Sequence, residues 1–455
     1  LQSLDAGFGA GTVKWTAESR SPEDSTRRDE LLSTSLAVHL VAAFVGTLAV
    51  IALSFLFSGI FGIPGELAAE GAGLFLLLGI RVTAVGIPAG FLRGIVFGSD
   101  RLLLLNLVQV VSSLAYGAAA WGLLAGGVGT IGLAVAGLGL AILETGAVYA
   151  AARRAMRAGA TPIRISLRKV SLARFREAFS YSGSSFMVQV SAAILMQSDL
   201  IVLKFFVPLA VVAGYGVAQR AAEYGFILVK QAVNALTPSI ARLDPASEPE
   251  KARFFLANAS KYAGAMTAVF AVASWLLGGE LLAAWAGEEY GAYGTVLGIL
   301  MTAFMVIAVQ MPCAAYLSLK GDHVWSSRAM SASAFLNIVA SVALAATIGY
   351  IGVPLGTLIA SVVVDGVIMP LRAYRSVGMA FSDLLGRVWL RLLVPAAAEG
   401  GAIYLLGRLL PSRDMGTILI IGAAGAAVFL LVFVPLSLDA SERRLFLGGR
   451  RRVRP

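Results

Sequence analysis

Apolar stretches long enough to cross a membrane recur along the whole chain, and the polar connections between them are alternately rich in Arg and Lys and nearly free of them. A bilayer core of about 30 Å takes roughly 20 apolar residues of helix. The pattern predicts complete crossing helices at 32–58, 71–97, 102–125, 130–152, 178–206, 209–238, 258–286, 291–318, 327–349, 353–373, 389–410 and 415–437. A shorter apolar piece, Leu1–Trp15, precedes them and reads as the end of a helix whose start lies outside the chain. Basic loops stay on the cytoplasmic side of a membrane. Connection 16–31, with Arg20, Arg27 and Arg28, and connection 153–177, with Arg153, Arg154, Arg157, Arg164, Arg168, Lys169, Arg174 and Arg176, are therefore expected inside. Connections 59–70, 126–129, 287–290 and 350–352 carry no base and are expected outside. The segments at 239–257, 319–326 and 374–388 are basic or flanked by bases, and the tail Arg443–Pro455 adds six arginines, so all of these belong with the inner set.

Composition agrees with a lipid environment. Apolar residues make up 58% of the 455, charged residues 14%, and the mean hydropathy is +0.82; soluble domains run near 45–50% and about 25%. The net charge of +10 needs no nucleic-acid partner, because the bases sit at span ends where topology explains them. Fifty glycines suit helices that approach one another closely in lipid. Cys313 is the single cysteine, and His39 and His323 show no ligand spacing, so the sequence offers no intrachain disulfide and no metal motif. There is no phosphate-binding Gly-Lys-Ser/Thr loop, no paired His and Glu at metal spacing and no nucleophile elbow. The reading is an all-α polytopic transporter rather than an enzyme, with no cofactor.

Charges inside spans carry the candidate chemistry, since one at a helix centre costs about 2.5–3.5 kcal/mol on the insertion scale. These are Arg81, Glu144, Asp199, Lys204, Arg220, Glu223, Lys230, Asp365 and Glu399. Arg220, Glu223 and Lys230 share one face of one helix. Ser182, Ser184, Ser185, Gln189, Ser191 and Gln197 make the preceding span polar, and Asn234 and Thr237 extend the next, so two adjacent helices supply a polar wall. Arg81, Arg220, Lys230, Gln189 and Asn234 are the substrate-binding candidates, because guanidinium groups grip phosphate bidentately. Asp199, Glu223, Glu144, Asp365 and Glu399 are the candidates for proton or sodium coupling. The competing reading of Arg220 with Glu223 is a packing pair, that of Lys204 and Lys230 is snorkelling, and that of the remaining acids is structural hydrogen bonding. Trp275, Trp285, Tyr290 and Tyr404 read as an interfacial aromatic belt. A faint internal echo, Gly132–Glu144–Arg154 against Gly352–Asp365–Arg375, suggests parallel repeats.

Several stretches resemble the bacterial polysaccharide-biosynthesis family of lipid-linked oligosaccharide flippases, within the multidrug/oligosaccharidyl-lipid/polysaccharide (MOP) exporter superfamily. They are Leu4-Asp-Ala-Gly-Phe-Gly9 with Val13-Lys-Trp15, Ser198-Asp-Leu-Ile-Val202, Gly214-Tyr-Gly-Val-Ala218, Leu236-Thr-Pro-Ser-Ile-Ala-Arg242, Trp285-Ala-Gly-Glu-Glu-Tyr290 and Ile351-Gly-Val-Pro-Leu-Gly356. The resemblance covers essentially the whole chain, although each motif is short. It implies a bundle of two six-helix lobes and two C-terminal helices, with the first helix and most of the second missing here. The divisions are then 1–152 for the N-terminal lobe, 153–177 for a basic cytoplasmic linker, 178–373 for the C-terminal lobe, 374–437 for the two extra helices and 438–455 for a basic cytoplasmic tail. It further implies alternating-access movement of an undecaprenyl-diphosphate-linked oligosaccharide across the bacterial cytoplasmic membrane, by a monomer surrounded by membrane lipids and working near a polysaccharide polymerase or other assembly proteins. The rival readings are a cation-coupled multidrug antiporter of the same superfamily, a peptidoglycan lipid-precursor flippase, and a non-transporting scaffold or scramblase.

Overall fold

The computed structural model describes residues 8–18, 25–62, 65–158, 161–236, 239–410 except 241, 244 and 246, 414–439, and 442. No strand occurs among them. The helices are α1 (Phe8–Glu18), α2 (Ser25–Phe61), α3 (Gly65–Ile80), α4 (Ile87–Gly98), α5 (Leu102–Ala125), α6 (Thr130–Ala158), α7 (Leu172–Lys204), α8 (Leu209–Asn234), α9 (Pro249–Ala286), α10 (Gly294–Leu319), α11 (His323–Ile348), α12 (Gly352–Ala360), α13 (Met369–Ser376), α14 (Phe381–Leu384), α15 (Leu390–Leu409) and α16 (Met415–Ser437). Three π-helical stretches, Arg81–Gly86, Ser361–Ile368 and Leu385–Trp389, join α3 to α4, α12 to α13 and α14 to α15 into continuous rods.

Ten segments are long and apolar enough to cross a membrane. One of them, His323–Ser376, holds two antiparallel helices, and α8 is left out of the ten; its Arg220, Glu223 and Lys230 lower its apolar run. The twelve complete helices expected from the sequence are therefore all present, in a multi-pass membrane protein. Their ends differ, because helices continue past the apolar run to keep backbone groups paired. Residues 25–31, expected in a connection, form the first turns of α2, and α9 starts at Pro249 rather than at 258. The start of the chain, Leu1–Gly7, and the tail beyond Glu442 lie outside the described residues.

Two of the π stretches stand just before a proline. A proline ring clashes with the carbonyl four residues back, and a wider turn relieves that clash ahead of Pro88 and Pro370. Arg81 and Asp365, two of the charges singled out by sequence, both fall in these widened turns.

The chain separates into two compact units, 1–193 and 194–455, with the division inside α7. In the first unit α1 packs on α2 and α4, α2 on α3 and α4, and α6 on α3, α4 and α5. The second repeats these partnerships: α8 packs on α9 and α10, α9 on α10, and α12 on α10 and α11. The matching places of α6 and α12 agree with the echo in their sequences. A core around Trp15, Leu32, Phe91, Ile95 and Val148 holds the first unit. In the second, α15 and α16 add to the bundle by packing on α9.

Polar pairing fixes the connection after α6. Arg28, 3% exposed, donates to Thr161 O and Oγ1 at 3.1 Å and to Pro162 O at 3.1 Å. Asp29, 5% exposed, accepts from Arg28, from the Arg164 amide at 3.2 Å and from Lys169 Nζ at 2.9 Å. Glu177 pairs with Arg27 and Arg174, and hydrogen bonding to Arg27 first, then to Arg174, holds its carboxyl below the ordinary value.

Candidate functional site

Near the end of α7, Asp199 is 2% exposed. Tyr215 of α8 donates its hydroxyl to Asp199 Oδ2 at 2.5 Å, and Thr357 Oγ1 of α12 stands 3.3 Å from both carboxylate oxygens. Asn337 Nδ2 of α11 donates to Thr357 Oγ1 at 2.7 Å, while Ser198 Oγ donates to Asn337 Oδ1 at 3.1 Å. Ser341 Oγ and Thr357 Oγ1 both approach the Val353 carbonyl, at 3.1 and 3.4 Å. Asp199 thus sits in neutral oxygens and has no Lys or Arg partner among the described residues. A buried carboxylate without a counter-charge is costly, so the centre suits a proton on the acid or a small cation beside it.

One turn further along α8, Gln219 Nε2 donates to Met196 O at 2.5 Å and to Glu223 Oε1 at 3.2 Å. Glu223 also meets Gln197 Nε2 at 3.5 Å and Arg220 at 2.7 Å. Tyr215, Gln219 and Glu223 are spaced by four, so they form one stripe of α8 turned to α7. That stripe runs from the Asp199 centre to Arg220, whose side chain is 56% exposed. Lys230 and Asn234 are exposed further down α8, and Gln189 is half-buried on α7. The side chains of Ser182, Ser184 and Ser185, and Thr237, lie outside the described residues.

In the first unit Glu144 pairs with Arg93 at 2.6 Å on the wall of a cavity of about 390 Å³, which Asn106 and Gln109 also line. Arg81 lies over the Tyr116 ring, 5.6 Å from its centroid, against Gly137. Arg81 and Gln189 therefore belong to a different unit from Arg220, Lys230 and Asn234.

The other acids stand apart. Asp365 accepts from Ser333 Oγ at 3.2 Å and is 3% exposed. Glu399 of α15 is fully buried, and neither carboxyl oxygen has a hydrogen-bond partner among the described residues. Sequence reasoning passes over two ion pairs. Arg93 and Lys261 each lie within a turn of a span end, where a base is ordinary. Lys261 is in fact 1% exposed and meets Glu442 Oε1 and Oε2 at 2.8 Å, with Tyr262 donating to the same carboxylate at 2.5 Å. Nothing local signals that partner, 181 residues away. Among the described residues no group of three or more His, Cys, Asp or Glu is placed to hold a metal ion.

The model of the family described as "Polysaccharide biosynthesis protein" matches residues 4–244, more than half the chain. No functionally curated protein is similar in sequence. Among solved structures, an inward-facing multidrug resistance MATE family transporter of the MOP superfamily superposes with a TM-score of 0.70 at 19% identity, covering 83% of this chain and 87% of that one. The lipid II flippase MurJ, in an inward closed conformation, gives 0.71 at 15% identity over 95% and 92%. A MOP superfamily transporter from Pyrococcus furiosus, noted for the reverse polarity of its binding pocket, gives 0.56 at 19% over 82% and 84%. At these identities the likeness shows the fold. The chain belongs to the polysaccharide biosynthesis protein family and has the helical fold of MOP superfamily transporters.

Proposed function

We propose that this protein is a secondary-active flippase that moves a polyprenyl-diphosphate-linked oligosaccharide across the bacterial cytoplasmic membrane by alternating access, for the assembly of a surface polysaccharide such as lipopolysaccharide or exopolysaccharide. The observation that carries the reading is the stripe on α8. It connects a buried carboxylate that needs a cation, Asp199, to an exposed guanidinium that suits a diphosphate, Arg220. Glu223 holds Arg220 in place, and Gln219 ties Glu223 to the α7 backbone at Met196. A proton or sodium ion at Asp199 changes the bonding of Tyr215 and Thr357, and through α8 it biases the base that grips the cargo. Coupling of this kind requires a two-state element that both sites bias; α7 and α8 are that element. Membership of a polysaccharide biosynthesis family supports the cargo class, and the shared fold of a lipid II flippase supports the mode of movement.

The buried acids Asp199, Asp365 and Glu399 favour one rival, a cation-coupled antiporter expelling cationic drugs. Both readings are tested by reconstituting the full-length gene product into liposomes. Movement of a fluorescent undecaprenyl-diphosphate oligosaccharide from accessible to protected is followed with and without a pH or sodium gradient. Gradient-stimulated movement is expected. No movement, together with gradient-driven uptake of a cationic dye by the same vesicles, would overturn the flippase reading in favour of the antiporter.

A further inference from the structure

α11 begins at His323 and the antiparallel rod α12–α13 ends at Ser376, so Asp322 and Ser376 emerge at the same face of the membrane. Between these ends lies a cleft of about 530 Å³ lined by Asp322, Trp325, Ile368, Leu371, Arg372 and Arg375. Arg372 and Arg375 are three residues apart and share one face of α13, while Met369, Ala373 and Tyr374 bury the opposite face. The Arg372 guanidinium lies 5.6 Å from the Trp325 ring centroid and bonds Asp322 at 3.0 Å. Arg375 is exposed, and its side chain makes no hydrogen bond or ion pair among the described residues. Two guanidinium groups against one carboxylate leave the cleft cationic.

We propose that this cleft binds the phosphate group of an anionic membrane phospholipid. Guanidinium groups recognise phosphate through paired, charge-assisted hydrogen bonds, and Asp322 with Trp325 fixes Arg372 for that contact while Arg375 supplies an unspent charge. Tryptophan belongs at headgroup depth, where one side is apolar and the other wet. Ile368, 41% exposed, and Leu371 form the lip on the hydrocarbon side, placed for the first carbons of an acyl chain. A free phosphate ion has no use for that lip, and a zwitterionic headgroup does not neutralise the second arginine. The cleft therefore selects a lipid with net negative charge. It lies apart from the α7–α8 stripe, and its occupancy is independent of what cargo the protein moves.

The test is native mass spectrometry of the purified protein in detergent with added dioleoylphosphatidylglycerol, dioleoylphosphatidylcholine or inorganic phosphate. Phosphatidylglycerol is expected to be retained over phosphatidylcholine and not displaced by inorganic phosphate at equal concentration. Arg372→Ala/Arg375→Ala should weaken retention about five-fold for each arginine, roughly 25-fold for the pair. Arg372→Lys/Arg375→Lys, which keeps the charge but loses the paired donors, should fall between. Arg153→Ala/Arg154→Ala removes the same charge at another helix end and should leave retention unchanged. Equal loss in that control would show diffuse charge rather than a site. Unchanged retention in the Arg372/Arg375 alanine variant, equal binding of phosphatidylcholine, or displacement by inorganic phosphate would each overturn the proposal.

Discussion

A charged side chain in a lipid-spanning helix is legible in sequence as an anomaly, but its partner is not. Arg220 and Glu223 are read from their spacing, and they do pair, at 2.7 Å; Gln219, which ties them to α7, is a polar residue that spacing alone does not single out. Arg220→Ala is expected to abolish oligosaccharide flipping while expression and membrane insertion stay intact. Normal flipping by that variant would remove Arg220 from the cargo site. If Arg220→Ala/Glu223→Gln regains function, the pair serves packing rather than cargo. Asp199→Asn keeps the shape of the centre and removes the charge that needs a cation. It should leave the protein folded and cancel the stimulation of flipping by a pH or sodium gradient, read in the same liposomes.

At the scale of elements, apolar length determines which stretches are helices, whereas small residues determine how closely they pack. Gly352 and Gly356 form a G-x-x-x-G ridge that brings α12 against α11. A Cβ at Gly356 would stand 2.6 Å from Ser341 Cα, and one at Gly352 would stand 2.6 Å from the Ala345 amide nitrogen. Gly356→Leu must push the two backbones apart and pull Thr357 away from Asn337 and Asp199. A lowered melting temperature in detergent and loss of gradient-stimulated transport should appear together. The clasp between the start of α2 and the segment after α6 behaves differently. Glu177 is held below the ordinary glutamate value of about 4.3, so its pairing contributes stability that is complete above that pH and is lost as pH falls through the depressed value. Glu177→Gln should therefore flatten the acid limb of the melting temperature against pH and change little near neutrality.

For the whole molecule, the most consequential contacts join residues far apart in the chain. Lys261 and Glu442 are each 1% exposed, and their 2.8 Å pair docks the end of α16 on α9. Breaking such a pair from one side leaves a buried charge uncompensated, at a cost of about 3–5 kcal/mol. Lys261→Met should thus lower stability sharply in thermal unfolding, and Lys261→Met/Glu442→Gln should recover most of the loss. If the double variant is no more stable than the single, the pair does more than neutralise buried charge. The repeated packing order of the two units is also a property of the whole: the sequence carries only the echo between Glu144 and Asp365, because helix partnerships are conserved through shape and small contacts rather than through particular letters.

Sequence alone determined the twelve complete spans, the membrane class and the anomalous charges, because hydrophobic length and local charge are sums along the chain that the bilayer reads directly. Tertiary structure decided what each charge does. It gave Asp199 hydroxyl neighbours from α8 and α12, left the Glu399 carboxyl without a hydrogen-bond partner among the described residues, and paired Lys261 across 181 residues. It also extended α2 and α9 past their apolar runs and widened the helix at Arg81 and Asp365. These outcomes depend on which helix faces meet, and a face is chosen by close packing over the whole bundle rather than by any stretch of residues read by itself.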